Sequence, residues 1–177
     1  MLKDYDLPDE SGYGSHIPAL KFIFQHISPK FSMEYGMGFF STPFLIDHSE
    51  RVFSLEMQEK EWYDKVVEKY ACQKWDHAFS EEVDEFILME VPDFLFVDGS
   101  SVTRAIGVVH AMQKGVDTIA LHDSDSVWYG SQMADQYIQP LGYVSHVFTE
   151  KYPTTTVYTK NENLVKVLNQ LKLDADK

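Results

Sequence analysis

Two β-rich runs near the C-terminus, Tyr143–Phe148 and Thr154–Thr159, are separated only by residues 149–153. A parallel crossover needs a dozen or more residues, so so short a link requires an antiparallel pair. Everything before that pair alternates. Strand signals at 31–35, 51–56, 73–78, 93–97 and 117–121 are interleaved with helical spacing at 16–26, from Thr42 onward, and at 58–70, 81–89, 101–113 and 128–138. Residues 94–97 (FLFV) are continuously apolar, as a strand covered on both faces must be. Five β/α units closed by a hairpin predict an α/β fold. Its sheet has seven mostly parallel strands with one reversed, and helices lie on both faces.

No repeat, low-complexity tract or Pro/Gly/Ser-rich linker divides the 177 residues, so one domain over 1–177 is expected. Residues 1–15 read as an N-terminal arm and 161–177 as a C-terminal helix or tail. A hydrophobic content of 44% argues against global disorder. No apolar run is long enough to span a bilayer, and the polar, acidic start is not that of a signal peptide. Cys72 is alone, which excludes an internal disulfide or a multi-cysteine zinc site. A reducing, cytoplasmic setting is the expectation. The net charge is −13, and Arg51 and Arg104 are the only arginines. A protein that tracks a phosphate backbone needs clustered cations, so neither a nucleic-acid nor a membrane partner is expected.

The segment richest in chemistry is Glu34-Tyr-Gly36-Met-Gly38-Phe-Phe-Ser41-Thr42. A strand that enters two glycines and then a helix is mechanically a nucleotide-binding turn. Gly36 permits the sharp reversal, and Gly38 lets a ligand approach backbone that carries no Cβ. Ser41 and Thr42 can cap the helix or offer hydroxyls and N–H groups to a ligand. Glu56 ends the second strand, where a carboxylate can accept the hydroxyl protons of a ribose. Glu34, inside an otherwise apolar strand, must be hydrogen-bonded to offset its burial, either by the loop or by a ligand.

An acidic residue, one spacer and then G-x-G, together with a reversed seventh strand, resembles the class I methyltransferases that use S-adenosylmethionine (SAM). The likeness runs from about residue 12 to 160. More narrowly the chain is similar to a group of small, poorly characterised methyltransferase-like proteins. It shares with them Gly12-Tyr-Gly-Ser-His16, the 34–43 segment, Phe96-Val-Asp-Gly99 with Arg104, His122-Asp123 and Tyr152-Pro-Thr-Thr-Thr156. It departs at Phe40, where many relatives carry a third glycine. The resemblance implies a Rossmann-like fold, SAM as cofactor and its demethylated product SAH. Glu34, Gly36, Gly38, Ser41 and Thr42 would lie around the amino-acid half of the cofactor, Glu56 at its ribose, and Asp98 alongside.

In a doubly wound sheet, ligands bind at the carboxyl ends of the strands near the switch point. Asp98-Gly99 closes the fourth strand and His122-Asp123-Ser-Asp125 the fifth. Transfer of a methyl group to a hydroxyl requires alignment and removal of a proton. His122, Asp123 and Asp98 are therefore the candidate catalytic residues, with His122 or Asp123 preferred as base. The competing assignment for Asp98 and Asp123 is helix capping. Carboxylates there can also hold a hard cation such as Mg²⁺, but acidic residues abound, and a divalent metal is not favoured. Tyr13, His16, Trp75, Asp76 and His77 form a second tier. The last three would follow the third strand, where this fold meets adenine.

The expected activity is methyl transfer from SAM to a small-molecule acceptor, at oxygen. The alternatives are a non-catalytic SAM or nucleoside binder and a nicotinamide-dependent oxidoreductase. The latter is disfavoured by Ser41, where G-x-G-x-x-G wants glycine or alanine, and by the terminal hairpin.

Overall fold

A computed structural model describes Tyr5 and residues 13–80, 90–126 and 131–175. Its elements run α1 (Ile17–Phe24), β1 (Phe31–Tyr35), α2 (Ser41–His48), β2 (Arg51–Glu56), α3 (Lys60–Tyr70), β3 (Trp75–Phe79), β4 (Phe94–Val97), α4 (Ser101–Lys114), β5 (Thr118–His122), α5 (Ser131–Ile138), β6 (Val144–Phe148), β7 (Thr155–Thr159) and α6 (Glu162–Ala175). The helix expected at 81–89 and most of the N-terminal arm lie outside the described residues. No helix among the described residues is long and apolar enough to cross a membrane.

The seven strands form one sheet in the order β3-β2-β1-β4-β5-β7-β6. β1 to β5 pair in parallel, while β7 runs antiparallel to both β5 and β6. This is the class I methyltransferase fold. Strand periodicity sends alternate side chains into separate cores. Phe94 and Phe96 pack with Leu20, Ile23, Phe44, Val66 and Leu164 under α1, α2, α3 and α6. Leu95 and Val97 pack with Val108, Met112 and Ala134 under α4 and α5. All four β4 residues are fully buried, which explains the unbroken apolar run.

Local signals set the ends of the helices. α4 stops at Gly115, whose left-handed φ of +87° lets the N–H groups of Gly115 and Val116 turn back onto the Met112 and Ala111 carbonyls. Asn161 Oδ1 accepts from the N–H of Asn163 and of Leu164, capping α6. Trp75, Asp76 and His77 lie within β3, as the strand signal at 73–78 has it, and not after the strand where the adenine contact was expected; they are registered against Val52, Phe53 and Ser54. Trp75 is buried and donates to Ser54 Oγ at 3.0 Å, so it serves the sheet edge.

Candidate active site

β1 and β4 are adjacent while their neighbours run outward on opposite sides, so the switch point lies between their carboxyl ends. The glycine loop occupies that point. Gly36 has φ +81°, and a Cβ there would stand 2.4 Å from the Asp98 carbonyl oxygen. Only glycine satisfies both conditions. Phe40 has φ −111°, a conformation open to any residue, so the missing third glycine costs the backbone nothing.

The loop is pinned from below and from the side. Thr42 Oγ1 accepts from the Gly38 N–H at 3.0 Å and donates to Glu34 Oε2 at 2.7 Å. Ser54 Oγ donates to the same Glu34 oxygen at 2.8 Å. Glu56 Oε2 accepts from the Met37 N–H, and its Oε1 from the N–H groups of Met57 and Gln58. Two aromatic residues of α3 complete the hold: Trp62 Nε1 donates to the Met37 carbonyl at 2.7 Å, and the Tyr70 hydroxyl to that of Phe39 at 3.0 Å. These aromatic struts give no short-range signal in the sequence.

A cavity of about 770 Å³ opens above the loop, within the usual range for a cofactor-sized ligand. Gly36, Gly38, Ser41, Glu56 and Trp62 line one end, and His16, Asp98, Arg104, His122 and Asp123 the other. Of the predicted cofactor residues, Glu34 and Thr42 are fully buried and do not line the cavity. They shape the loop from beneath. Glu56 borders the cavity but spends much of its acceptor capacity on backbone amides.

Burial pushes the Glu34 carboxyl up to about 7, with the Ser41, Thr42 and Ser54 hydroxyls opposing the rise and Asp98 adding to it. A carboxyl raised in the folded state contributes stability that is full below its ordinary 4.5 and is lost as pH climbs through about 7. Between pH 5 and 8 the wild type should therefore lose up to about 3 kcal/mol relative to Glu34→Gln, which has no proton to release. Urea unfolding of both proteins at the two pH values checks this. A difference that does not change with pH contradicts it.

At the far end, Arg104 of α4 joins the ends of β4 and β5. Its Nε donates to the Gly99 carbonyl at 2.6 Å, and Nη2 to Asp98 Oδ1 at 2.7 Å and to the Asp98 carbonyl at 3.3 Å. Nη1 donates to the His122 carbonyl and to Asp123 Oδ2. His122 Nδ1 lies 3.0 Å from Asp98 Oδ1, and Ser15 Oγ lies 2.8 Å from His122 Nε2. Asp123 has φ +53°, an uncommon backbone state for a residue other than glycine that recurs at functional sites. Ser100, not Asp98, is the N-cap of α4, and Asp125 accepts from the N–H and Oγ1 of Thr154; the start of the helix that Asp123 was expected to cap lies outside the described residues. The three expected catalytic residues are thus brought together. Arg104 and Ser15, not singled out for this role, join them, as does His16 from the second tier.

No family model and no curated protein matches the chain. Solved structures do. Cofactor-bound Rv0187 from MTB superposes with a TM-score of 0.62 at 16% identity, over 90% of this chain and 85% of that one. Precorrin-6y C5,15-methyltransferase from Geobacter metallireducens GS-15 gives 0.62 at 12%, over 82% and 88%. The N-methyltransferase NodS from Bradyrhizobium japonicum WM9, in complex with SAH, gives 0.54 at 11%, over 81% and 83%. These likenesses are to class I SAM-dependent methyltransferases, and at such identities they establish the fold.

Proposed function

We propose that this chain is a SAM-dependent methyltransferase acting on a small-molecule acceptor, at oxygen. The observation that carries the reading is one continuous cavity: it joins a pinned glycine loop at the switch point to a His-Asp-Arg cluster. The cavity end fits the cofactor's chemistry. Gly36 and Gly38 present backbone without side chains, and Ser41, the first residue of α2, borders the cavity. When bound, SAM supplies an electrophilic methyl group. Gly36, Gly38 and Ser41 would hold its amino-acid half and Glu56 its ribose, with Asp98 bridging toward the acceptor.

The chain's own contribution is alignment and proton removal. Arg104 fixes the ends of β4 and β5, so Asp98 and Asp123 keep their positions as the acceptor enters. A hydroxyl acceptor gives its proton to His122 or to Asp123, both of which border the cavity. Incubating the protein with methyl-labelled SAM and a panel of phenols, alcohols, carboxylic acids and amines tests the reading. Acceptor-dependent SAH release is expected for a hydroxyl-bearing compound. Transfer confined to amines contradicts the assignment to oxygen.

The ribose role of Glu56 has its own check. Glu56→Gln keeps the shape but loses charge-assisted acceptance, and should weaken SAH binding by roughly 1–3 kcal/mol. The loss should shrink for a 2′,3′-dideoxy analogue. An equal penalty for both ligands leaves Glu56 as a support of the Met37, Met57 and Gln58 amides.

A further inference from the structure

His16 stands in the turn that leads into α1 and borders the cavity, yet it is only 2% exposed. Neither of its ring nitrogens has a hydrogen-bond partner. A buried donor or acceptor left unmade is costly, so two on one imidazole call for a ligand. Its ring meets His122 edge-on, 4.8 Å between centroids, and packs on Phe96 at the same distance. The donor atoms of His16, Asp98 and His122 all lie within 4.8 Å of one another. Bonds of about 2.0–2.2 Å at tetrahedral angles set ligand atoms about 3–3.5 Å apart, so modest side-chain adjustment brings the three onto one centre.

We propose that His16, Asp98 and His122 form a binding site for one divalent first-row transition ion of the Zn²⁺ or Fe²⁺ class. This rests on reading the cluster as the acceptor end of a methyltransferase, and it deepens that reading. Three features support it beyond proximity. Two imidazoles with one carboxylate select a borderline transition ion, whereas Mg²⁺ and Ca²⁺ prefer oxygen ligands. Asp98 and Asp123 carry two negative charges against the single charge of Arg104, which leaves room for a cation. The surrounding contacts are those that orient ligands: Ser15 holds His122 Nε2, leaving Nδ1 facing Asp98, and Arg104 holds Asp98. An ion entering between Asp98 and His122 exchanges their hydrogen bond for two ligand bonds. The all-carboxylate site considered from sequence is different, because it would draw on Asp123 and Asp125 and on neither histidine.

The ion gives the site a division of labour. Bound to the acceptor hydroxyl, it lowers the hydroxyl's pKa by Lewis acidity. His122, as a ligand, is then no longer the free base, and Asp123 takes the proton while the oxygen attacks the methyl carbon and SAH leaves.

Protein dialysed against a chelator is titrated with Co²⁺, following its visible absorption, and then with Zn²⁺ and Mg²⁺ as competitors. SAH binding is measured by calorimetry on the same samples. The expected result is one Co²⁺ per chain, displaced by Zn²⁺ but not by millimolar Mg²⁺ (on the order of the competitor concentration that would fill a hard-cation site). His16→Ala and His122→Asn should each weaken Co²⁺ binding at least ~10-fold, and His146→Ala should leave it unchanged. Failure of the wild type to bind Co²⁺ overturns the proposal without any variant. So does unaltered Co²⁺ affinity in folded His16→Ala, or a loss in that variant confined to SAH, which would make His16 a cofactor contact. Tight SAH binding without Co²⁺ binding removes the ion and keeps the methyltransferase reading. Co²⁺ binding without SAH binding does the reverse.

Discussion

Arg104→Met should lower the free energy of unfolding by about 3–5 kcal/mol at neutral pH, because it strands charges and carbonyls that one guanidinium now serves. The Arg104 side chain is 7% exposed and its two carboxylate partners 21% each. Methionine matches the volume but donates nothing to the carbonyls of Asp98, Gly99 and His122. Arg104→Lys should recover only part of the loss, since an ammonium cannot reproduce the planar fork that spans both strand ends. Arg51→Ala is the control. Its pair with Glu90 is exposed, with side chains 44% and 62% accessible, and removing such a pair should cost under about 1 kcal/mol. Urea unfolding of the three variants decides it. Equal effects for Arg104→Met and Arg51→Ala would show that Arg104 does not hold the strand ends together.

His122→Asn and Asp123→Asn should each lower turnover at least ~10²-fold, the usual size of a base or Lewis-acid contribution, while SAH affinity changes little. Groups that act on the acceptor proton contribute in the transition state and leave cofactor binding untouched. Single-turnover methyl transfer, melting and SAH calorimetry on each variant separate this from a structural role. A lowered melting temperature with full turnover would place both side chains in the scaffold, and full activity in both variants would move the chemistry elsewhere.

The fold was legible because its signals are local. The strand–glycine–helix turn, the apolar β4 and the five-residue C-terminal link each declare themselves within a dozen residues. The strand ends carrying Asp98, His122 and Asp123 follow from the same local reading, since a parallel sheet brings the carboxyl ends of its strands to one edge. The rest of the site depends on residues far apart in sequence. Ser15 reaches His122 across 107 positions and Trp62 reaches Met37 across 25. Ser15 lies in the Gly12–His16 segment shared with the methyltransferase-like group, but no spacing around it or around Trp62 names the partner. His16 stood in the second tier, but not as a ligand, for a lone histidine has no ligand spacing until the fold supplies His122 and Asp98 beside it. Glu34 illustrates an ambiguity that only structure resolves: the hydroxyls of Thr42 and Ser54, beneath the loop, serve its Oε2, while Oε1 stays buried without a partner.

Calorimetry with SAH and NAD, on the wild type and on Gly38→Val, bears most directly on the claim that the glycine loop is a SAM site. A Cβ at Gly38 would lie 3.3 Å from Ser41 Oγ, so a side chain there requires the Ser41 hydroxyl to give by a few tenths of an ångström and adds bulk where Gly38 borders the cavity. SAH is expected to bind the wild type and NAD is not, and Gly38→Val should still melt cooperatively but no longer bind SAH. Binding of NAD in place of SAH, or undiminished SAH affinity in Gly38→Val, would contradict that claim.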